Sequence, residues 1–324
     1  MRERNYTFDL LKSIALVCII LAHVNPNGVV FQIRNFDVPL MIMISVWLSI
    51  NNITNNEFKY CRYIRHRINR LLIPTWIFLT IFFIINIFLG KMPPIKTIIS
   101  SYLLIGGIGY VWVIRIYIYI AIITPIINNL LMKVKVFGKV FLIIMQYIVY
   151  NLLVMIVSNT DGVLNLILNS TVLDFIGYSF IVSIAIILYN FNVKKQLCIN
   201  VVFGIIFVLL AIKNNFIPTQ TFKYPIRMYY LSYALFVSIG LYIIISQLNK
   251  NSKLKPNNTI IFISKNSMWI YLWHILYLEM VNNMFINIRL GFILRLIIIT
   301  LLSIITVYFQ KKIISNKMKC FQIL

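Results

Sequence analysis

The stretch KSIALVCIILAHV, Lys12–Val24, decides how the rest of the chain is read. It is an apolar run that opens on a lysine and closes on a histidine, in a chain of 324 residues with only three histidines. No small-residue cleavage site follows it, so it is read as a retained helix and not a removable signal. An imidazole is costly in hydrocarbon, so a histidine at the end of such a run asks for polar company at that depth.

Working outward, 61% of the residues are hydrophobic and only 11% charged, whereas soluble domains carry about a quarter charged residues. The fold class is therefore all-α, a polytopic membrane bundle. Polar, Pro and Asn clusters divide the chain into ten candidate spans, at 8–24, 38–50, 71–89, 107–131, 136–157, 172–189, 197–213, 227–247, 259–283 and 286–309. The second is short for a hydrocarbon core of about 30 Å, which takes about 20 helical residues. It is expected to begin earlier, to tilt, or to be sheltered by neighbours. With no internal repeat and no separate soluble unit, residues 1–324 read as one membrane-embedded domain.

The net charge is +23. With the N-terminus placed inside, nineteen of the thirty basic residues fall in inner segments and seven in outer ones. That excess favours ten spans with both termini cytoplasmic. The abundance of Ile, Asn and Lys suits a bacterial genome rich in AT, hence a multi-pass protein of the bacterial plasma membrane. The basic residues form no soluble arm or aromatic-interleaved patch, which argues against nucleic acid. Cys18, Cys61, Cys198 and Cys320 are scattered, and no His, Cys and carboxylate spacing suggests a metal. There is no phosphate-binding glycine loop and no nucleophile elbow.

Ionisable residues inside spans are functional candidates by default. On this map His23, Arg34, Asp37, Arg115, Asp174, His274 and Glu279 all fall toward the outer side, as a cavity open to the outside would require. The plainer role of a membrane histidine is a hydrogen bond between helices, worth about 1 kcal/mol. On the inner side, CRYIRHRINRLLIPTW holds Arg62, Arg65, Arg67 and Arg70. They suit either an anchor on anionic lipid or a docking site for a phosphorylated donor, since guanidinium forks match phosphate oxygens. His66 reads as a solvated loop residue. Asp9 and Lys12, spaced i,i+3, are expected to neutralise each other.

Three segments together resemble the membrane-bound acyltransferase family 3. FDLLKSIALVCIILAHV is similar to that family's opening helix, with Lys12 where arginine is usual and His23 after ten intervening residues. RHRINRLLIP is similar to its R-x-x-R-L segment leading to proline, through Arg67, Arg70, Leu71 and Pro74. SMWIYLWHILYL resembles its late S-x-x-I-Y-L-x-H helix, through Ser267, Ile270, Tyr271, Leu272 and His274. YVWVIRIYIYIAIITPII fits its tryptophan helix through Trp112 and Pro125, and RNFDVPLMIMIS fits the segment before the second span, with Val46 where many members have glycine. The hydrolase-like domain that some relatives append is absent from this sequence.

The resemblance implies transfer of an acyl group, usually acetyl, from cytoplasmic acyl-coenzyme A to a hydroxyl of a surface polysaccharide or glycolipid. The donor would dock at Lys12, Arg62, Arg65, Arg67 and Arg70. His23 would serve as general base or transient acyl carrier, Asp37 would orient or charge-stabilise it, and Arg115 or Arg34 would stabilise the oxyanion. Arg34, Asp174, His274 and Glu279 would line the acceptor pocket. The partners are then acyl-coenzyme A, the glycan acceptor and membrane lipid, and the transfer needs no metal. The same polar map also suits a transporter or exporter of lipid-linked saccharide. A polysaccharide polymerase suits it less, since the outer loops are short.

Overall fold

A computed structural model describes residues 4–53, 58–251, 254–284 and 291–321. Of the basic residues used for topology, Arg2, Lys253 and Arg289 lie outside that set. All regular structure among the described residues is helical. In chain order the α-helices are α1 Tyr6–His23, α2 Gly28–Ile33, α3 Asp37–Ile53, α4 Tyr60–Phe88, α5 Ile95–Tyr102, α6 Trp112–Met132 and α7 Val136–Ser158. They continue as α8 Gly162–Leu168, α9 Asp174–Asn190, α10 Val193–Lys213, α11 Met228–Lys250, α12 Asn258–Lys265, α13 Ser267–Met284 and α14 Phe292–Phe321.

Asparagine starts four of these helices. The side chains of Asn5, Asn27, Asn192 and Asn257 accept backbone N–H groups of α1, α2, α10 and α12, donors that would otherwise have no partner in the first turn. Asp37 does the same for α3, accepting from Val38 N at 2.7 Å, and Pro39 fits the first turn because its missing N–H costs nothing there. Pro74 and Pro125 lie inside α4 and α6, where packed neighbours make such interruptions tolerable in a membrane.

Nine stretches among the described residues are long and apolar enough to cross a bilayer. The short second span is extended by α2, so that Gly28–Ile53 forms one stretch of 26 residues. The ninth expected span breaks at Asn266 into α12 and α13. α13 is 18 residues long but carries His274, Glu279 and Asn282, which keeps it out of the nine. The third expected span starts earlier than residue 71: α4 runs unbroken from Tyr60, so the arginine segment is helical, and His66 is an exposed helical residue, not a loop one. The helix read over 107–131 starts at Trp112, after a run of turns.

The stretches containing α3 and α9 are 67% and 72% buried and form the centre of the bundle, whereas α7, α10 and α14 are 17% buried and form its lipid-facing rim. Polar bonds tie the centre together. Trp47 Nε1 donates to the Ala185 carbonyl at 2.8 Å, and Gln146 bridges Ser179 and Ser183 at 2.6 and 2.8 Å. In hydrocarbon such bonds between helices hold the packing, each worth roughly 0.6–2 kcal/mol. α1 packs against α3, α11, α12 and α13, which brings both ends of the opening stretch inside the protein.

Candidate active site

The histidine end of the bundle is built where α1 meets α13. His23 is the last residue of α1, and its Nδ1 lies 3.0 Å from Nε2 of His274, with the two rings stacked at 5.1 Å. Nδ1 of His274 bonds the carbonyl of Tyr271, one turn back on α13. A carbonyl only accepts, so His274 carries its proton on Nδ1 and accepts at Nε2. His23 must then donate from Nδ1, which leaves the lone pair on its own Nε2 uncommitted. His274 is completely buried and His23 half-buried.

Tyr110 packs edge-on against His23, with centroids 4.9 Å apart. Its backbone is held by Tyr271, whose hydroxyl donates to the Tyr110 carbonyl at 2.6 Å. The turns before it are pinned by Ser101 Oγ, which accepts from Ile108 N at 3.0 Å. Gly107 makes that possible. It sits at φ +73°, and a Cβ there would stand 1.9 Å from Ser101 Oγ. Gly107→Ala is therefore expected to cost on the order of 2 kcal/mol and to displace Tyr110, read as a lowered Tm in detergent micelles and a loss of activity.

Tyr110 is also a wall of a cavity of about 410 Å³ lined by Phe82, Phe83, Asn86, Lys91, Ile275 and Glu279, among others. Glu279 accepts from Asn86 Nδ2 at 3.4 Å. The cavity and the histidine pair thus share one side chain.

On the other flank, Arg34 donates to Asp37 Oδ2 at 2.9 Å, and both are buried. Asp37 Oδ1 is occupied by the start of α3, and His23 Nδ1 bonds His274, so Asp37 is not the orienting partner expected of it. Gln32 and Asn35 bond Thr219 at 2.9–3.0 Å and fasten the turn before α3 to the loop before α11. That loop buries Lys223, whose Nζ stands 5.6–5.8 Å from the ring centroids of Trp112, Tyr224 and Tyr230. Burial lowers the pKa of Lys223, with Asp37 opposing the shift and Arg34 adding to it. Sequence reasoning counted Lys223 only as a topology charge, and nothing in a loop lysine's surroundings announces its burial.

Arg115 and Asp174 lie elsewhere. Arg115 donates to Asp174 Oδ2 at 2.8 Å and to the Leu104 carbonyl at 2.7 Å, and the pair lines a separate cavity of about 560 Å³. The single outer cavity expected from depth is two cavities. Arg115, expected as an oxyanion donor, is held by Asp174 and Leu104 at that second cavity.

At the basic end, Arg67 donates to Ser49 Oγ at 2.5 Å and lies over Tyr63. Arg70 lies one turn further along α4. Arg62, Arg65 and Arg70 are exposed and Arg67 is half-buried. Asp9 does not pair with Lys12. It takes both ends of the Arg4 fork at 2.6 Å and a hydrogen bond from Ser264 at 2.6 Å. Lys12, Arg67 and Arg70 have no carboxylate partner among the described residues.

A helical membrane bundle with a hydrogen-bonded histidine pair at one end and, among the described residues, cations without carboxylate partners at the other defines a class: multi-pass proteins with a polar site buried in the bundle. The chain belongs to the acyltransferase family 3, whose acyltransferase-domain model matches residues 5–309, essentially the whole chain. It is thus a membrane acyltransferase. No curated protein and no solved structure matches it.

Proposed function

We propose that this acyltransferase takes an acyl group, most simply acetyl, from cytoplasmic acyl-coenzyme A and esterifies a hydroxyl of a cell-surface or exported glycan. The observation that carries the reading is the hydrogen-bonded run from the Tyr271 carbonyl through His274 to His23, which ends on a free Nε2 lone pair beside Tyr110. A hydroxyl attacking a thioester needs such a base, and neutral imidazole is suited to it near neutral pH.

In the transfer, His23 Nε2 takes the hydroxyl proton as the oxygen forms its bond to the acyl carbon. Negative charge develops on the former carbonyl oxygen, and the net positive charge of the Arg34, Asp37 and Lys223 group offsets it, a contribution of about 3 kcal/mol for one well-placed donor. Collapse breaks the carbon–sulfur bond, and the departing thiolate receives the proton from His23. Ester and thiol leave, and the histidine pair returns to its starting tautomers.

Lys12, Arg67 and Arg70 suit the phosphates of the donor, being cations without counter-carboxylates. Lys12 and His23 are eleven residues apart on one unbroken helix, about 16 Å. A donor whose thioester sits on a long, slender arm can anchor at one and react at the other. Arg67→Gln with Arg70→Gln is expected to raise KM for acetyl-coenzyme A about tenfold with kcat little changed. An unchanged KM would make the segment a lipid anchor instead.

The test is transfer of radiolabelled acetyl from acetyl-coenzyme A to surface polysaccharide in membranes from expressing cells. Label in the polysaccharide is expected with the wild-type protein. If glycan crosses the membrane without donor and no label is incorporated, the protein is an exporter of lipid-linked saccharide and the proposal fails.

A further inference from the structure

The second cavity lies outside the chemistry just described. It is walled by Trp112 and Tyr224, whose rings meet edge to face at 5.5 Å, and its polar lining includes Arg115, Asp174, Asn169 and Tyr150. At about 560 Å³ it falls within the range of roughly 300–1,000 Å³ typical of small-molecule sites.

Its chemistry narrows the ligand. Arg115 and Asp174 neutralise each other, so the cavity offers no net charge to a phosphate or a carboxylate. What remains are donors and acceptors at fixed positions next to aromatic faces. Arg115 is 8% exposed, and its Nε makes no hydrogen bond although both Nη groups are engaged. A buried donor left without a partner costs about 1–3 kcal/mol. A neutral sugar fits all of this: its apolar ring face lies on an aromatic ring, and its hydroxyls bridge guanidinium and carboxylate.

Position narrows it further. Tyr110 walls the cavity beside the histidines and Trp112 walls this one, and their Cα atoms are at most about 7 Å apart. The two cavities thus flank one short segment, Tyr110–Trp112. Resting on the glycan reading above, we infer that the Trp112–Asp174 cavity is a second saccharide subsite. It binds a neutral sugar next to the unit being acylated, and the acceptor is therefore an oligomeric or polymeric glycan and not a single sugar.

The experiment uses surface glycan from the native cells, freed of esters by mild base and cut to a size ladder by mild acid. Each fraction is offered with labelled acetyl-coenzyme A to the full-length protein in lipid nanodiscs. The wild-type kcat/KM is expected to be at least tenfold higher for two-unit fragments than for one-unit fragments. In Trp112→Ala, and independently in Asn169→Ala, that ratio is expected to fall to about one. Because the ratio is internal to each preparation, partial misfolding of a variant cancels from it. A wild-type ratio near one, or a ratio that survives both substitutions, overturns the subsite. Fragments of every length left unlabelled would overturn the glycan reading itself, and the subsite with it.

Discussion

His23→Ala abolishes measurable acyl transfer while the protein remains inserted and folded. The expected loss in kcat is about 10²–10⁴-fold, the range for removing a positioned general base, and larger if His23 carries the acyl group covalently. The fold should survive because His23 ends α1 and is only half-buried, so truncation leaves no large cavity. It does orphan Nε2 of His274, at about 1–3 kcal/mol. Labelled-acetyl transfer at matched membrane levels checks this, and full activity in His23→Ala would end the assignment.

His274→Phe gives the second-largest loss, about 10²–10³-fold in kcat with KM for the donor little changed. Phenylalanine fills a similar volume but cannot accept from His23 Nδ1, so nothing selects the tautomer that frees Nε2. Loss of an orienting partner is costly through geometry and tautomer even when the base itself is present. His274→Gln, whose side-chain oxygen can accept from Nδ1, should recover part of the rate. If the phenylalanine and glutamine variants were equally impaired, His274 would act by packing and not by orientation.

Much of this was legible in the chain. The long apolar runs, the bundle, and the depth of His23, His274 and the arginine segment follow from hydrophobic periodicity and charge placement. Depth is readable because a helix rises uniformly; the angle around the bundle axis is not. Asp37 and His23 are near in sequence and share a depth, yet Asp37 is spent on Arg34 and on the start of α3, while the true partner of His23 lies 251 residues away. Arg115 and Asp174 share that depth too, but open onto a different cavity. The arginines misled in another way. A run of charge ends an apolar span without ending the helix: arginine is a good helix former, and α4 runs through all four.

The histidine run ends on a backbone carbonyl, which cannot carry a proton onward. In the proposed reaction, the proton taken from the acceptor hydroxyl passes instead from His23 to the departing thiolate. An acyl group moves outward while a proton moves inward, and as formal cations the two exchange charge for charge. The membrane potential, which does about 2.3 kcal/mol of work per elementary charge per 100 mV, then does none here. Turnover by the proposed route would neither draw on the cell's voltage nor drain it.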